Sequence, residues 1–166
     1  MNEAEIRRIV QNTISSLKAD RSKMTLSLAE RLADAVIEEA KRTGVKAVVC
    51  VSNAGGHPIL VKTMDDAYIA SYDVAVNKAY TVVALKMSTM TLKPLAQPGE
   101  SLYGIQFTNG GKIVIFGGGD PLCDEKGNIV GGLGVSGGSE EQDAALSAFG
   151  KAYFEAKISS PSTKTV

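Results

Sequence analysis

Apolar residues recur at helical spacing in the first stretch of the chain. Ile6, Ile9, Val10, Ile14 and Leu17 form one stripe, with Glu3, Arg7, Arg8 and Gln11 between them. This pattern predicts an amphipathic helix over residues 2–18. Asn2 with Glu5 three positions on has the form of a capping box at its start. The polar residues 19–23 read as a linker. A second helical pattern runs over 25–43, opening near Thr25 or at Ser27 with Glu30 as a capping pair and closing at Gly44. Residues 46–52 and 59–64 are apolar runs of strand length around the turn 53–56, which predicts a β-hairpin. Residues 67–90 read as helical with a break near 87–91, and 93–102 as a loop punctuated by Pro94 and Pro98. Three further strands are predicted over 105–108, 113–116 and 129–135, then a closing helix over 140–156 and a Ser/Thr-rich mobile tail over 157–166. The order αββαβββα calls for an α+β domain with an antiparallel five-stranded sheet covered by helices.

Composition narrows the function. The chain has 166 residues, enough for one domain with a substantial core. Lys plus Arg and Asp plus Glu number 18 each, so no net field recruits nucleic acid or an anionic membrane surface. Aromatic residues make up 5% and Trp is absent, too few for a base-stacking platform. No apolar run has the length of a membrane span or a signal-peptide core, so the expected location is cytoplasmic. Cys50 sits in an apolar run and reads as a small core residue. Cys123 lies beside Pro121 and Asp124, where more exposure is expected. Their spacing has no metal-binding form, and a disulfide is not expected.

The second half is patterned by glycine. Asn109-Gly110-Gly111, Gly117-Gly118-Gly119-Asp120-Pro121-Leu122 and Gly131-Gly132-Leu133-Gly134-Val135-Ser136-Gly137-Gly138 alternate with apolar segments, and Glu141-Gln142-Asp143 follows. Such spacing means tight turns and close backbone approach. Upstream stand Asn53-Ala54-Gly55-Gly56-His57, Met64-Asp65, Lys78-Ala79 with Thr81, and Gln97-Pro98-Gly99. In order and spacing these blocks resemble the GlcG/HbpS family, which includes the C-terminal domain of PduO proteins. The resemblance covers residues 24–156.

It implies a profilin-like arrangement and homo-oligomers built from dimers, up to octamers. The first reading that it suggests is a non-enzymatic binding protein of that type, taking haem or a related tetrapyrrole, or a small organic acid. The adenosyltransferase domain of full-length PduO has no counterpart in this sequence, so that activity is not carried over. The family's usual start lies near Met24, which makes residues 1–18 an addition. A short apolar-striped helix followed by a polar linker resembles the encapsulation peptides of microcompartment enzymes. The expectation is docking on a shell or cargo protein and residence in a microcompartment lumen. Packing on its own domain or on a neighbouring subunit fits the stripe equally.

Candidate ligand-binding residues follow from the same blocks. Gly117, Gly118 and Gly119 could offer amides to an anion. Ser136, Gly137 and Gly138 approach the start of the last helix, where negative charge is favoured. Asn109, Gly110 and Gly111 form a third turn. Gly132 to Gly137 satisfies GxGxxG, but too little chain follows for the second parallel strand of a dinucleotide-binding unit. Lys78 could pair with an acidic ligand group or with Asp143 across an oligomer contact, and Tyr103 could add a phenol. Asp65, Asp66 and Asp143 could act as paired carboxylates, although capping at a strand-to-helix junction explains the first two better.

His57 is the only histidine, which removes multi-histidine metal sites. Some haem-binding relatives use a histidine in the first domain helix, and residues 25–43 contain none. Iron ligation would fall to His57, to Met64, Met87 or Met90, to a tyrosine, or to propionate contacts alone. Two other readings stay open. One is an enzyme acting on a small 2-hydroxy acid or related metabolite through Lys78 and His57; the other is an oligomeric assembly protein.

Overall fold

The computed structural model describes residues 2–20 and 23–159, and not the side chains of residues 13–20 and 158–159. The predicted stripe positions Ile14 and Leu17 therefore lie outside the described side chains, as do residues 160–166 of the predicted tail.

Helix α1, Glu3–Asp20, begins with the reciprocal pair that its sequence predicts. The Asn2 amide donates to Glu5 Oε2 and the Glu5 amide to Asn2 Oδ1, both at 2.9 Å. Two of the amides left over at a helix start are thereby satisfied. Residues 2–12 are all exposed, Ile6, Ile9 and Val10 included. The described part of the stripe thus does not pack on the domain.

Helix α2, Leu26–Thr43, is capped by Thr25, whose Oγ1 accepts from the Leu28 amide at 3.2 Å. The predicted Ser27–Glu30 pair is not the cap, because the helix already starts at Leu26. Gly44 ends it in the left-handed region at φ 74°, donating to the carbonyls of Ala40 and Lys41. Its buried residues Leu28, Ala29, Leu32, Ala33, Val36 and Ala40 line one face. Strands β1, Val48–Asn53, and β2, Pro58–Thr63, form the expected hairpin. Helix α3 covers Ser71–Ala84 and α4 Thr89–Leu95, divided where Ser88 caps α4 through the Thr91 amide. Strands β3, Gly119–Cys123, and β4, Ile129–Ser136, precede α5, Glu140–Ser159.

The sheet is antiparallel throughout, in the order β2-β1-β4-β3. Alternation along the strands separates two layers. Val49, Val51, Leu133 and Val135 face α2 and α5, joining Leu32, Val36, Leu146 and Phe154 in the main core. Val48 and Cys50 face α3 and meet Ala75 and Ala79. Opposite those alanines β4 carries glycines: a Cβ on Gly134 would run into the Ala75 carbonyl, and one on Gly132 into that of Ala79. The helix therefore rests on bare backbone, a close approach that side chains would prevent.

The expected α+β architecture stands, with four strands among the described residues instead of five. Residues 105–108 and 113–116 are not strands. Gly104 turns left-handed at φ 87°, and Asn109, Gly110 and Gly111 do so in succession at 52°, 66° and 78°. Two short 3-10 turns result, Ile105–Phe107 and Asn109–Gly111. Ile113 and Val114 are buried, but as an irregular segment whose Val114 amide donates to Thr81 Oγ1 at 3.0 Å. The strand that sequence reasoning missed is β3, where Gly-Asp-Pro reads as a turn. Proline is tolerated there because β3 lies at the sheet edge.

Candidate functional site

Lys78 is fully buried and lies at the junction of α3, β4 and α5. Its ammonium donates to the Val135 carbonyl at 2.7 Å and to Asp143 Oδ2 at 3.0 Å, and sits 4.9 Å from the centre of the Phe116 ring. Asp143 Oδ1 accepts from the Gly138 amide at 2.9 Å. The predicted Lys78–Asp143 contact thus forms within one chain and not across an oligomer contact. Burial pushes the Lys78 ammonium below the usual lysine range, and the charge and hydrogen bond of Asp143 oppose that shift.

The 117–119 turn closes over this pair. A Cβ on Gly118 would stand 2.6 Å from Lys78 Nζ and 2.7 Å from the Val135 carbonyl, so the turn is glycine because there is no room for anything else. Its amides are engaged inside the protein: Gly117 donates to Glu140 Oε1 at 2.8 Å and Gly119 to Thr89 Oγ1 at 2.9 Å. Glu140 also accepts from Lys93, and those two bonds hold its carboxyl below the ordinary range. At the second predicted anion turn, the Gly138 amide is held by Asp143 and the Ser139 amide by Gln142 Oε1. Ser136 Oγ bonds Ser71 Oγ at 3.1 Å. The nest of free donors pictured over Gly117–Gly119 and at Gly138 is therefore largely filled by the protein's own side chains.

A different cluster gathers around the hairpin tip. His57 is exposed, and its imidazole makes no hydrogen bond among the described residues. The tip is held by Asn53, whose Oδ1 accepts from the amides of Gly55 and His57 at 2.9 and 3.1 Å. Gly56 rests on the ring of Tyr80, where a Cβ would come to 3.0 Å. The Tyr80 hydroxyl reaches Asn109 Oδ1 at 3.2 Å, and Lys112 Nζ lies 5.6 Å from the centre of the same ring. The fold thus brings His57 and the Asn109–Gly111 turn, both predicted, together through Tyr80 and Lys112, which were not. Tyr80 lies only two residues from Lys78 but on another side of α3, and nothing in the chain announces that the hairpin will land on it.

The remaining candidates are dispersed. Tyr103 is exposed, and no described contact links its phenol to Lys78. Asp65 and Asp66 neither cap α3, whose N-cap position is Ala70, nor bond Asp143, so the three carboxylates form no acid/base pair. Met64 Sδ accepts from the Ala47 amide at 3.3 Å and is engaged there, while Met90 is exposed beside Gly117. Cys50 and Cys123 are free thiols, Cys50 fully buried.

Two cavities open elsewhere. One of about 590 Å³ lies between α2 and the end of β2. The other, of about 460 Å³, is lined by Lys46, Asp66, Tyr68, Gly137, Gly138 and Gln142, among others. Of the predicted binding residues, Gly137 and Gly138 line the second of these two cavities, and Lys46 borders both.

Comparison with known proteins converges on one family. Residues 24–151 match the family described as haem-degrading protein HbpS-like. A 15.0 kDa protein in the dhaT–dhaS intergenic region of Citrobacter freundii is 45% identical over 74% of this chain and 86% of its own length. The corrinoid adenosyltransferase PduO of Salmonella typhimurium is 38% identical over 83% of this chain, which spans 43% of that protein. Among solved structures, Klebsiella pneumoniae ORFY superposes with a TM-score of 0.76 at 40% identity, covering 79% of this chain and 90% of its own. The PduOC:heme complex superposes at 0.75 with 38% identity, covering 78% and 94%.

Proposed function

The chain belongs to the HbpS-like family, and from that membership and the hairpin-tip geometry we propose that it binds haem, using His57 as an iron ligand. The observation that carries this reading is the state of the only imidazole. It is exposed, unbonded among the described residues, and held on a rigid turn beside an aromatic ring and a lysine. A neutral imidazole with a free ring nitrogen is a competent axial ligand. Tyr80 offers an apolar face to the porphyrin, and Lys112 a cation to a propionate. The haem complex of a relative at 38% identity supports haem binding. Bound haem would supply an iron centre able to accept further ligands; what this chain supplies is the imidazole, the flat contact and the counter-charge.

The reading is of binding, not turnover. Lys78, the residue that an enzymatic role needs most, is wholly buried and committed to Asp143 and Val135. The test is an absorbance titration with haemin on the purified protein, repeated with His57→Ala. A saturable Soret band that shifts or weakens in the variant is expected. A band identical in both proteins removes His57 from the iron, and no saturable band removes the haem reading.

A second reading concerns α1. No described helix is long and apolar enough to cross a membrane. The exposed Ile6, Ile9 and Val10 instead suit a groove on a shell or cargo protein of a microcompartment, with the domain assembling as a homo-oligomer. The relation to PduO at 38% identity supports that setting. Deleting residues 1–20 should abolish co-sedimentation with compartments while leaving the haem titration unchanged; retained co-sedimentation rejects the docking role.

A further inference from the structure

The cavity of about 590 Å³ has a volume typical of small-molecule sites, about 300–1,000 Å³. Its wall combines an apolar floor with three cations. Ile37 from α2 and Met64 after β2 are half-buried and pack against the main core. Met64 is held twice: its amide donates to the Ala47 carbonyl at 3.0 Å, and its sulfur accepts from the Ala47 amide at 3.3 Å. Around the floor stand Lys41, Lys46 and Lys62, with Asp65 the one lining carboxylate.

The three lysines are not equivalent. Lys41 is paired with Glu38 at 2.7 Å, and Lys62 with Asp34, both carboxylates of α2. Lys46 makes no ion pair among the described residues. Its main chain is gripped where Gly137 passes so close to the Lys46 carbonyl that a Cβ there could not fit. An unpaired ammonium on a fixed backbone, next to an apolar floor, suits a ligand with a single negative group on a short apolar stem.

We propose that this cleft binds a small amphipathic carboxylate, its apolar part on Ile37 and Met64 and its carboxylate on Lys46. The site is separate from the hairpin tip and from the glycine turns, and does not rest on the haem reading. Lys41 and Lys62, already offset by Glu38 and Asp34, shape the rim, and Asp65 disfavours a second negative charge on the ligand.

The test is an amide NMR titration of the full chain with hexanoate, with hexan-1-ol and inorganic phosphate in parallel. Saturable shifts confined to residues 37–46 and 62–65 are expected with hexanoate, and far weaker ones with the other two. Because Lys46 is exposed, Lys46→Gln should fold normally and weaken hexanoate binding about tenfold, as expected for losing a charge-assisted hydrogen bond. His57→Ala should leave hexanoate binding unchanged, which separates failure here from failure of the haem reading. The proposal is overturned by shifts that never saturate or by undiminished binding to Lys46→Gln. Equal binding of hexanol or of phosphate overturns it as well, the first removing the charge requirement and the second the apolar one.

Discussion

Lys78 Nζ and Asp143 Oδ2 lie 3.0 Å apart, with neither residue reaching solvent to any useful extent. The pair ties α3 to the start of α5. Its second carboxylate oxygen holds the Gly138 amide, while the Gly118 turn seals it from above. Removing one member of such a pair leaves a buried charge without compensation. Lys78→Met should therefore lower unfolding free energy by about 3–5 kcal/mol. The double variant Lys78→Met/Asp143→Leu should recover much of that loss. Urea unfolding of the two variants and the parent checks both, and a single variant within about 0.5 kcal/mol of the parent contradicts a coupled pair.

Contact between α3 and β4 depends on missing side chains. Gly134→Ala would force its methyl into the Ala75 carbonyl, main chain against main chain, and should destabilise by about 1–3 kcal/mol or more. Gly44→Ala meets open space and carries only the left-handed backbone penalty, about 1 kcal/mol. Thermal unfolding should rank them in that order. A reversed order would mean that the helix can move off the strand at little cost.

Stability should fall in acid partly through Glu140. Its bonds to Lys93 and to the Gly117 amide lower its pKa in the folded state below the ordinary 4.5. A group with a depressed folded pKa contributes stability above its unfolded value and loses it as pH drops through the folded one. Glu140→Gln should thus differ most from the parent near neutrality, and the two curves should converge as pH falls below about 4.5. Urea midpoints measured between pH 7 and pH 3 give the comparison, and a gap that stays constant excludes Glu140 from the acid limb.

The two thiols should separate by reactivity. Burial raises the Cys50 thiol to about 12, leaving almost no thiolate at pH 8. Cys123 is half-exposed and also raised by burial, though less completely enclosed. Iodoacetamide on the native protein should give a single slow adduct at Cys123 by mass spectrometry, with Cys50 joining only in denaturant. Native labelling of Cys50 would show that the sheet opens readily on its α3 side.

Helix α1 with its Asn2–Glu5 box, the αL stop at Gly44 and the 53–57 hairpin were legible because each rests on neighbours within five residues. The segment 105–116 was not. Ile113 and Val114 are apolar for burial against α3, and the strand signal came from that burial without any strand partner. At the site, Lys78, Asp143, His57 and the glycine turns stood out in the chain. Tyr80, Lys112, Lys46 and Glu140 did not, since their roles arise from what lands beside them.

By itself the sequence determined the capped helices and the first hairpin, the family, and the small set of residues with chemistry to offer. Capping, glycine stops and apolar periodicity act over a few residues and leave their mark in the chain. Tertiary structure alone decided that the lysine which stood out is sealed inside an ion pair and that the amides of Gly117, Gly119 and Gly138 serve the protein's own side chains. It also decided that the turn carrying the exposed imidazole rests on Tyr80 through Gly56, and that a lysine with no ion pair among the described residues overlooks an apolar cleft. Burial and charge pairing are set by which elements meet in space, across separations of 23 to 65 residues here, and those distances carry no local signature.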